Sequence, residues 1–216
     1  MIVLGIDGAL DGFSAAVTRD ERVIVTQTLT GNRALEAGVG VIAEVLREAH
    51  TNASEIDRVA VGVGPGGFTG LRIAISYAKV LALAWKLPLV AISSFDVLEA
   101  DVVRDRALCV VSGRPGVVSL RLRVGKDVSR ASGPTHETVE RLLPRSFSGP
   151  LAVFGRSEDV LAVLAERDVQ VERITSQLSP AAAAAILARN RDPAHSPHEV
   201  RADYGELPAA KVKRAD

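Results

Sequence analysis

Apolar residues follow two alternating rhythms along this chain. Over the first thirty residues the rhythm is that of strands. "IVLGI", "FSAAVT" and "VIVTQTL" are separated by the turn-forming "DGALDG" and the charged "RDER", and short β-rich runs between Asp-Gly and charged clusters are hairpin signals. A helical rhythm follows in "NRALEAGVGVIAEVLREAH", where Leu35, Val39, Ile42, Leu46 and Ala49 recur at four-three spacing behind Asn32, the expected N-cap. The strand "DRVAVGV", a glycine-rich loop, a long apolar helix from Thr69 to Lys86 and the strand "LPLVAIS" complete the unit.

The order then restarts. "RALCVVS", "VVSLRLRV" and "VSRAS" give three more strands, followed by a helix over 136–143, the strand "LAVFG", a helix over 157–167, the strand "VQVERI" and a helix opening at Ser179-Pro180. Three strands followed by alternating helix and strand, occurring twice, predict a duplicated α/β fold in two lobes. This is the ribonuclease H-like layout of actin-like ATPase domains. The expected boundaries are an N-terminal lobe over 1–103, a smaller C-terminal lobe over 104–192 and an extended tail over 193–216 that holds three prolines.

Composition narrows the function classes. Nearly half of the 216 residues are apolar, a quarter are charged and the formal net charge is zero, so no overall field draws the chain to nucleic acid. A single cysteine, Cys109, excludes an internal disulfide and suits a reducing cytoplasm. The start "MIVLGIDGAL" reads as a first strand rather than a leader peptide, and no uncharged apolar run has the length of a membrane span.

The candidate chemistry centres on "GVGPGGFTGLRIA", residues 62–74. Gly62, Gly64 and Gly67 satisfy G-x-G-x-x-G between a strand and a helix, but the next strand ends without the acid that would hold a ribose, and Asp96 lies too far along. No lysine follows these glycines in the phosphate-loop register. Thr69 is placed to cap the following helix, whose free N–H groups could hold an anion. The alternative is a tight strand-to-helix turn that only glycine accepts. Between Leu71 and Trp85 the clearly polar residues are Arg72, Ser76 and Lys79. A helix so apolar is buried on most sides or covered by a partner. The preceding helix carries Gly38 and Gly40, each costing roughly 1 kcal/mol against alanine, which close approach of another helix would offset.

"GPGGFTGLRIA" with the following "AKVLALAWKLPLVAISSFD" closely resembles the signature segment of the bacterial TsaB (YeaZ-like) family, and "MIVLGID" resembles that family's first strand. The resemblance implies a non-catalytic member of the actin-like superfamily with a reduced second lobe. Such a protein pairs with a larger catalytic transferase paralogue (TsaD-like) and a small ATPase (TsaE-like), which together install threonylcarbamoyl on an adenosine of tRNA. It further implies homodimers in isolation, indirect contact with tRNA, no membrane partner and no cofactor of its own, any ATP or ADP contact falling at the partner interface. The implied interface or nucleotide-contact residues are Asp7, Leu35, Val39, Ile42, Gly64, Gly66, Phe68, Thr69, Gly70, Arg72, Ser76 and Lys79.

Several positions depart from the family pattern. Gly8 stands where a threonine is usual, "NRALEAG" lacks the His-Ser-Glu-like triplet, "SGRPGVVSL" keeps only Arg114 of a second-lobe motif, and Tyr204-Gly205-Glu206 replaces Tyr-Leu-Arg. Asp7 sits where actin-like ATPases place a first-strand acid, though with Gly8 in place of a hydroxyl residue an Asp-Gly turn explains it better. His50, His136, His195 and His198 show no zincin spacing. Ser14 and Ser119 lie in no nucleophile elbow, and Cys109 lies in an apolar strand, the setting of an inert thiol. Two rival readings stand beside the accessory subunit: a stand-alone small-molecule kinase or ATPase of the same fold, and a homodimeric paralogue outside tRNA modification.

Overall fold

One strand order occurs twice. In the computed structural model, which describes residues 1–10, 12–31 and 37–205, the first sheet holds β1 (Ile2–Asp7), β2 (Phe13–Arg19), β3 (Arg22–Leu29), β4 (Arg58–Gly64) and β5 (Leu89–Ser93). The second holds β6 (Arg106–Ser112), β7 (Val117–Val124), β8 (Asp127–Pro134), β9 (Leu151–Phe154) and β10 (Val171–Ile174). Their spatial orders are β3-β2-β1-β4-β5 and β8-β7-β6-β9-β10. In each, three strands form an antiparallel meander and two more run parallel to the first. The fold is the duplicated actin-like, ribonuclease H-like α/β architecture that the patterning predicts.

Among the described residues six α-helices cover the sheets: α1 (Gly38–Glu48), α2 (Phe68–Trp85), α3 (Ser94–Leu98), α4 (Thr135–Leu142), α5 (Glu158–Glu166) and α6 (Pro180–Ala188). The second lobe is reduced in its helices. α4 and α5 have 8 and 9 residues where their counterparts α1 and α2 have 11 and 18.

The period-two alternation of β1 explains how the first sheet is covered. Leu4 and Ile6 join the core beneath α1 and α2, whereas Val3 faces the alanines of α6. A central strand with parallel neighbours needs cover on both faces. α6 follows the second sheet in sequence, yet it supplies that cover to the first. A Cβ at Gly5 would overlap the Ala181 carbonyl and come within 2.9 Å of the Ala185 methyl, so glycine opposite alanine is what brings helix and sheet together. Ser179 accepts the Ala182 N–H at 3.2 Å and Ser14 accepts that of Ala181 at 3.2 Å. At the other end Arg58 donates to the carbonyls of Ala188 (2.8 Å) and Arg191 (3.2 Å), a cation on the negative end of the helix.

α1 differs from its sequence reading. Its buried residues are Gly38, Val41, Ile42 and Val45, and Val39 points outward. The face is set by Gly38, where a Cβ would stand 2.8 Å from Tyr77 Cε2 and 3.0 Å from Phe13 Cζ; the helix approaches α2 and β2 through its glycine, and the apolar stripe turns accordingly. The expected cap Asn32 and the candidate Leu35 lie outside the described residues. α2 is the one described helix with the length and mean hydropathy (1.2 over 18 residues) of a membrane span, but it packs on β4 and β1 and carries Arg72 and Lys79.

Gly5→Ala is expected to push α6 from the sheet and lower Tm by about 5–10 °C, measured by thermal melting.

Candidate functional site

The glycines of 62–74 are filled by the chain itself. The Asp7 carboxylate, buried at the end of β1, lies over Gly62, where a Cβ would overlap its Oδ2. Its Oδ1 accepts the N–H groups of Ala9 (2.9 Å) and Leu10 (3.0 Å), an Asx turn that occupies the amides an anion would require. Gly64, at φ +102°, sits against the Asp203 carbonyl, Gly66 sits against that of Ala9, and the Gly67 N–H donates to Ala9 at 3.0 Å. Gly8 rests on the Gly70 carbonyl and would bring a Cβ to 3.0 Å from the Ala74 methyl. The departure from threonine at residue 8 is therefore steric: β1 and the first turn of α2 touch backbone to backbone there. Thr69 does not cap α2. It is an exposed residue of the first turn, Gly67 occupies the N-cap position, and no side chain bonds there.

Between the lobes lies a cleft of about 180 Å³ lined by Leu10, Leu98, Val110 and Ile174, with the hydroxyls of Ser112 and Thr175 at its edge. Ser112 Oγ donates to the Arg156 carbonyl at 3.0 Å. Aliphatic side chains share the cleft walls with Arg156 and Ser176, and the amides of the lining residues Ala9 and Leu10 are already bonded to Asp7.

Behind the cleft, charges lock the lobes. Arg121 on β7 is buried and pairs with Asp96 of α3 and with Glu99 just beyond its end, donating also to the Phe95 carbonyl at 2.7 Å. Arg123 reaches Glu99 at 2.7 Å, and Arg191, just beyond α6, reaches Asp96 at 3.2 Å. Burial opposes the Arg121 charge, but the Asp96 hydrogen bond and the neighbouring carboxylates outweigh it and hold the guanidinium above its ordinary pKa. Cys109 stands beside this cluster. Burial, reinforced by the Glu99 charge, pushes its thiol up to about 12.

The outer edge of α2 is different in character. Phe68 (54% exposed), Val80 (63%) and Leu83 (45%) lie on its solvent side with Arg72 and Ser76, and Val39 (58%) projects from α1 alongside. Ser76 donates to the Arg72 carbonyl at 2.7 Å, Arg72 Nε to the Tyr204 hydroxyl at 2.9 Å, and Lys79 Nζ to the His198 carbonyl at 3.4 Å. The structure thus separates the sequence candidates. Asp7, Gly64, Gly66 and Gly70 form a packed corner, and Ile42 belongs to the first-lobe core. Phe68, Thr69, Arg72, Ser76 and Val39 are exposed, with Lys79 partly so.

Sequence reasoning missed the Arg121 cluster and the Tyr204 contact. A signal existed for the first: in "SLRLRV" Arg121 and Arg123 fall on one face of the strand, and Asp96 and Glu99 fall three apart in sequence. For Tyr204, 132 residues from Arg72, local pattern carries none.

Residues 29–186 match the family model described as TsaD, tRNA N6-adenosine threonylcarbamoyltransferase. A transferase of that name from Syntrophus aciditrophicus is 28% identical over 183 residues, covering 71% of this chain and 54% of its own length. The tRNA threonylcarbamoyladenosine biosynthesis protein TsaB of Escherichia coli is 30% identical over 122 residues, 55% of this chain and 53% of that one. The chain spans about half the length of the curated relatives it matches. Among solved structures, YeaZ from Pseudomonas aeruginosa shares the fold at a TM-score of 0.73 and 21% identity, over 94% of this chain and 99% of that one.

Two outcomes follow from this geometry. Gly8→Thr restores a hydroxyl but must displace the Gly70 carbonyl; a Tm lower by about 5–10 °C is expected, with no ATP binding gained in calorimetry. Cys109 should resist iodoacetamide at mildly alkaline pH in the native protein and react once the chain is unfolded, as mass spectrometry would register. Its raised pKa favours the folded state below the ordinary value of 9.0, and that contribution is lost as pH rises toward about 12.

Proposed function

This chain belongs to the TsaD family, tRNA N6-adenosine threonylcarbamoyltransferase, and we propose that it is an accessory subunit in the formation of threonylcarbamoyladenosine on tRNA, binding a larger catalytic paralogue through α1 and α2. It performs no bond chemistry itself. It holds the paralogue in a competent arrangement, a conformational contribution, with a small ATPase as the third component and tRNA held by the others. The zero net charge of the chain agrees with indirect contact with tRNA.

One observation carries the reading: exposed apolar side chains on α1 and α2 are left uncovered by the described residues. Val39, Val80 and Leu83 are exposed beside the polar Arg47, Glu48, Arg72 and Ser76, and Gly40, inside α1, meets no described residue outside its own helix within 4 Å of where a Cβ would stand. Gly38 is accounted for by Phe13 and Tyr77; Gly40 is not. A helix-interior glycine costs about 1 kcal/mol, and the approach of another helix backbone beside Val39 would offset that. The filled Asp7–Gly62 corner further supports a scaffold over a stand-alone kinase, since the amides of the β1–β2 turn that would cradle a phosphate are already bonded.

Val80→Glu combined with Leu83→Glu should weaken the complex with the larger paralogue about a hundredfold, while Tm moves little, as for other surface substitutions. In the native host depleted of this protein, wild type should restore threonylcarbamoyladenosine in bulk tRNA, read by nucleoside mass spectrometry, and the double variant should not. An undiminished level of the nucleoside in depleted cells would refute the assignment.

A further inference from the structure

The chain beyond α6 is a strap laid along α2. Ala194 donates to the Leu89 carbonyl at 2.9 Å and Asp203 to that of Val63 at 2.7 Å, so the segment crosses from the start of β5 to the end of β4. Val200 is buried in the first-lobe core between these anchors. The contacts climb α2 toward its N-terminus, first Lys79 on His198 and then Arg72 on Tyr204.

At the upper end three side chains close on one another. The rings of Phe68 and Tyr204 lie 4.9 Å apart at 32°, and the guanidinium carbon of Arg72 stands 3.9 Å from the centre of the Phe68 ring. The Tyr204 hydroxyl takes only Nε. The remaining donor fork is open to solvent, and among the described residues no carboxylate pairs with it. By contrast Arg104, Arg121, Arg123, Arg173, Arg189 and Arg191 each meet an acid. α2 itself contains no acidic residue. A planar guanidinium held still on an aromatic ring, charged and unpaired, is suited to bidentate capture of a carboxylate. By the 3.6-residue repeat Phe68, Arg72, Ser76, Val80 and Leu83 share one side of α2. The strap flanks it on one side, and α1, through Gly38 against Tyr77, flanks it on the other.

Resting on the function proposed above, we infer that the strap is a working part of the docking face: Tyr204 is a positioning residue that holds Arg72 and Phe68 for an acidic side chain on an apolar helix of the larger paralogue. Charge complementarity selects this occupant, because a cation at the end of an apolar, acid-free helix rewards an acid on the incoming one. A second copy of this chain would bring Arg72 and Lys79 again and no acid from its own α2, and the Glu44 and Glu48 carboxylates of its α1 already meet Arg47.

The test is a double-mutant cycle read by calorimetry, using the full chain and the larger paralogue of the same organism. Tyr204→Phe removes only the hydroxyl and keeps the stack; Arg72→Gln removes the guanidinium, its charge and its donor fork together; melting curves verify that both fold. Arg72→Gln should weaken binding about tenfold and flatten its salt dependence. Tyr204→Phe should weaken it about fivefold in the wild-type background and less than about twofold beside Arg72→Gln, since the hydroxyl acts through the arginine. Wild-type-like binding by either variant, or effects that simply multiply, would overturn the inference and leave the accessory role intact. A wild-type chain that does not bind the paralogue would overturn both.

Discussion

The buried guanidinium of Arg121 is the point on which the two lobes meet. Its partners Asp96 and Glu99 stand on and just after the short helix that links the lobes, and Asp96 is shared with Arg191 on the segment returning from the second lobe. Breaking a buried pair by removing one member leaves an uncompensated charge, which costs about 3–5 kcal/mol. Rotation of the lobes about the link would pull apart the Arg121–Glu99 pair, both members of which are buried.

The glycine-rich loop is likewise held by internal contacts. Each of its glycines that meets a neighbour meets a piece of the same chain: the Asp7 carboxylate, the Ala9 carbonyl or the Asp203 carbonyl. Space and donors that a phosphate would need are spent on seating α2. The loop's product is the placement of a long helix whose outer side carries Phe68, Val80 and Leu83 together with Arg72 and Ser76, and the strap completes that placement from its flank.

Strand patterning and turn residues made both sheets legible in the sequence, because alternation along β1 and β6 reflects burial on two faces and the hairpins announce themselves by Asp, Gly and charge. The glycine loop and the apolar character of α2 were legible for the same reason, being properties of contiguous residues. α1 was misread at Val39 alone, Ile42, Leu46 and Ala49 of the same stripe packing in the core, because side-chain size governs a periodicity argument, whereas Gly38 contributes through the backbone it lets approach. α3, five residues long, falls below the length at which a helical period can be recognised. The Asp96–Arg121 and Arg72–Tyr204 contacts join residues 25 and 132 apart, and only the tertiary fold selects such partners. Gly8 is instructive: compared with a family pattern it reads as a lost hydroxyl, and against Gly70 it reads as the sole residue that fits.

The position of α6 bears on the order in which the molecule can be made. The first lobe leaves the ribosome before the second, yet the face of its sheet formed by Val3, Gly5 and Ala16 waits for residues 180–188, which are synthesised after β10. During that interval an apolar sheet face stands open, a condition under which nascent chains stick to one another or to chaperones. The lobe begun first is closed last, so the duplicated fold is a single cooperative unit in biogenesis even though its pattern repeats.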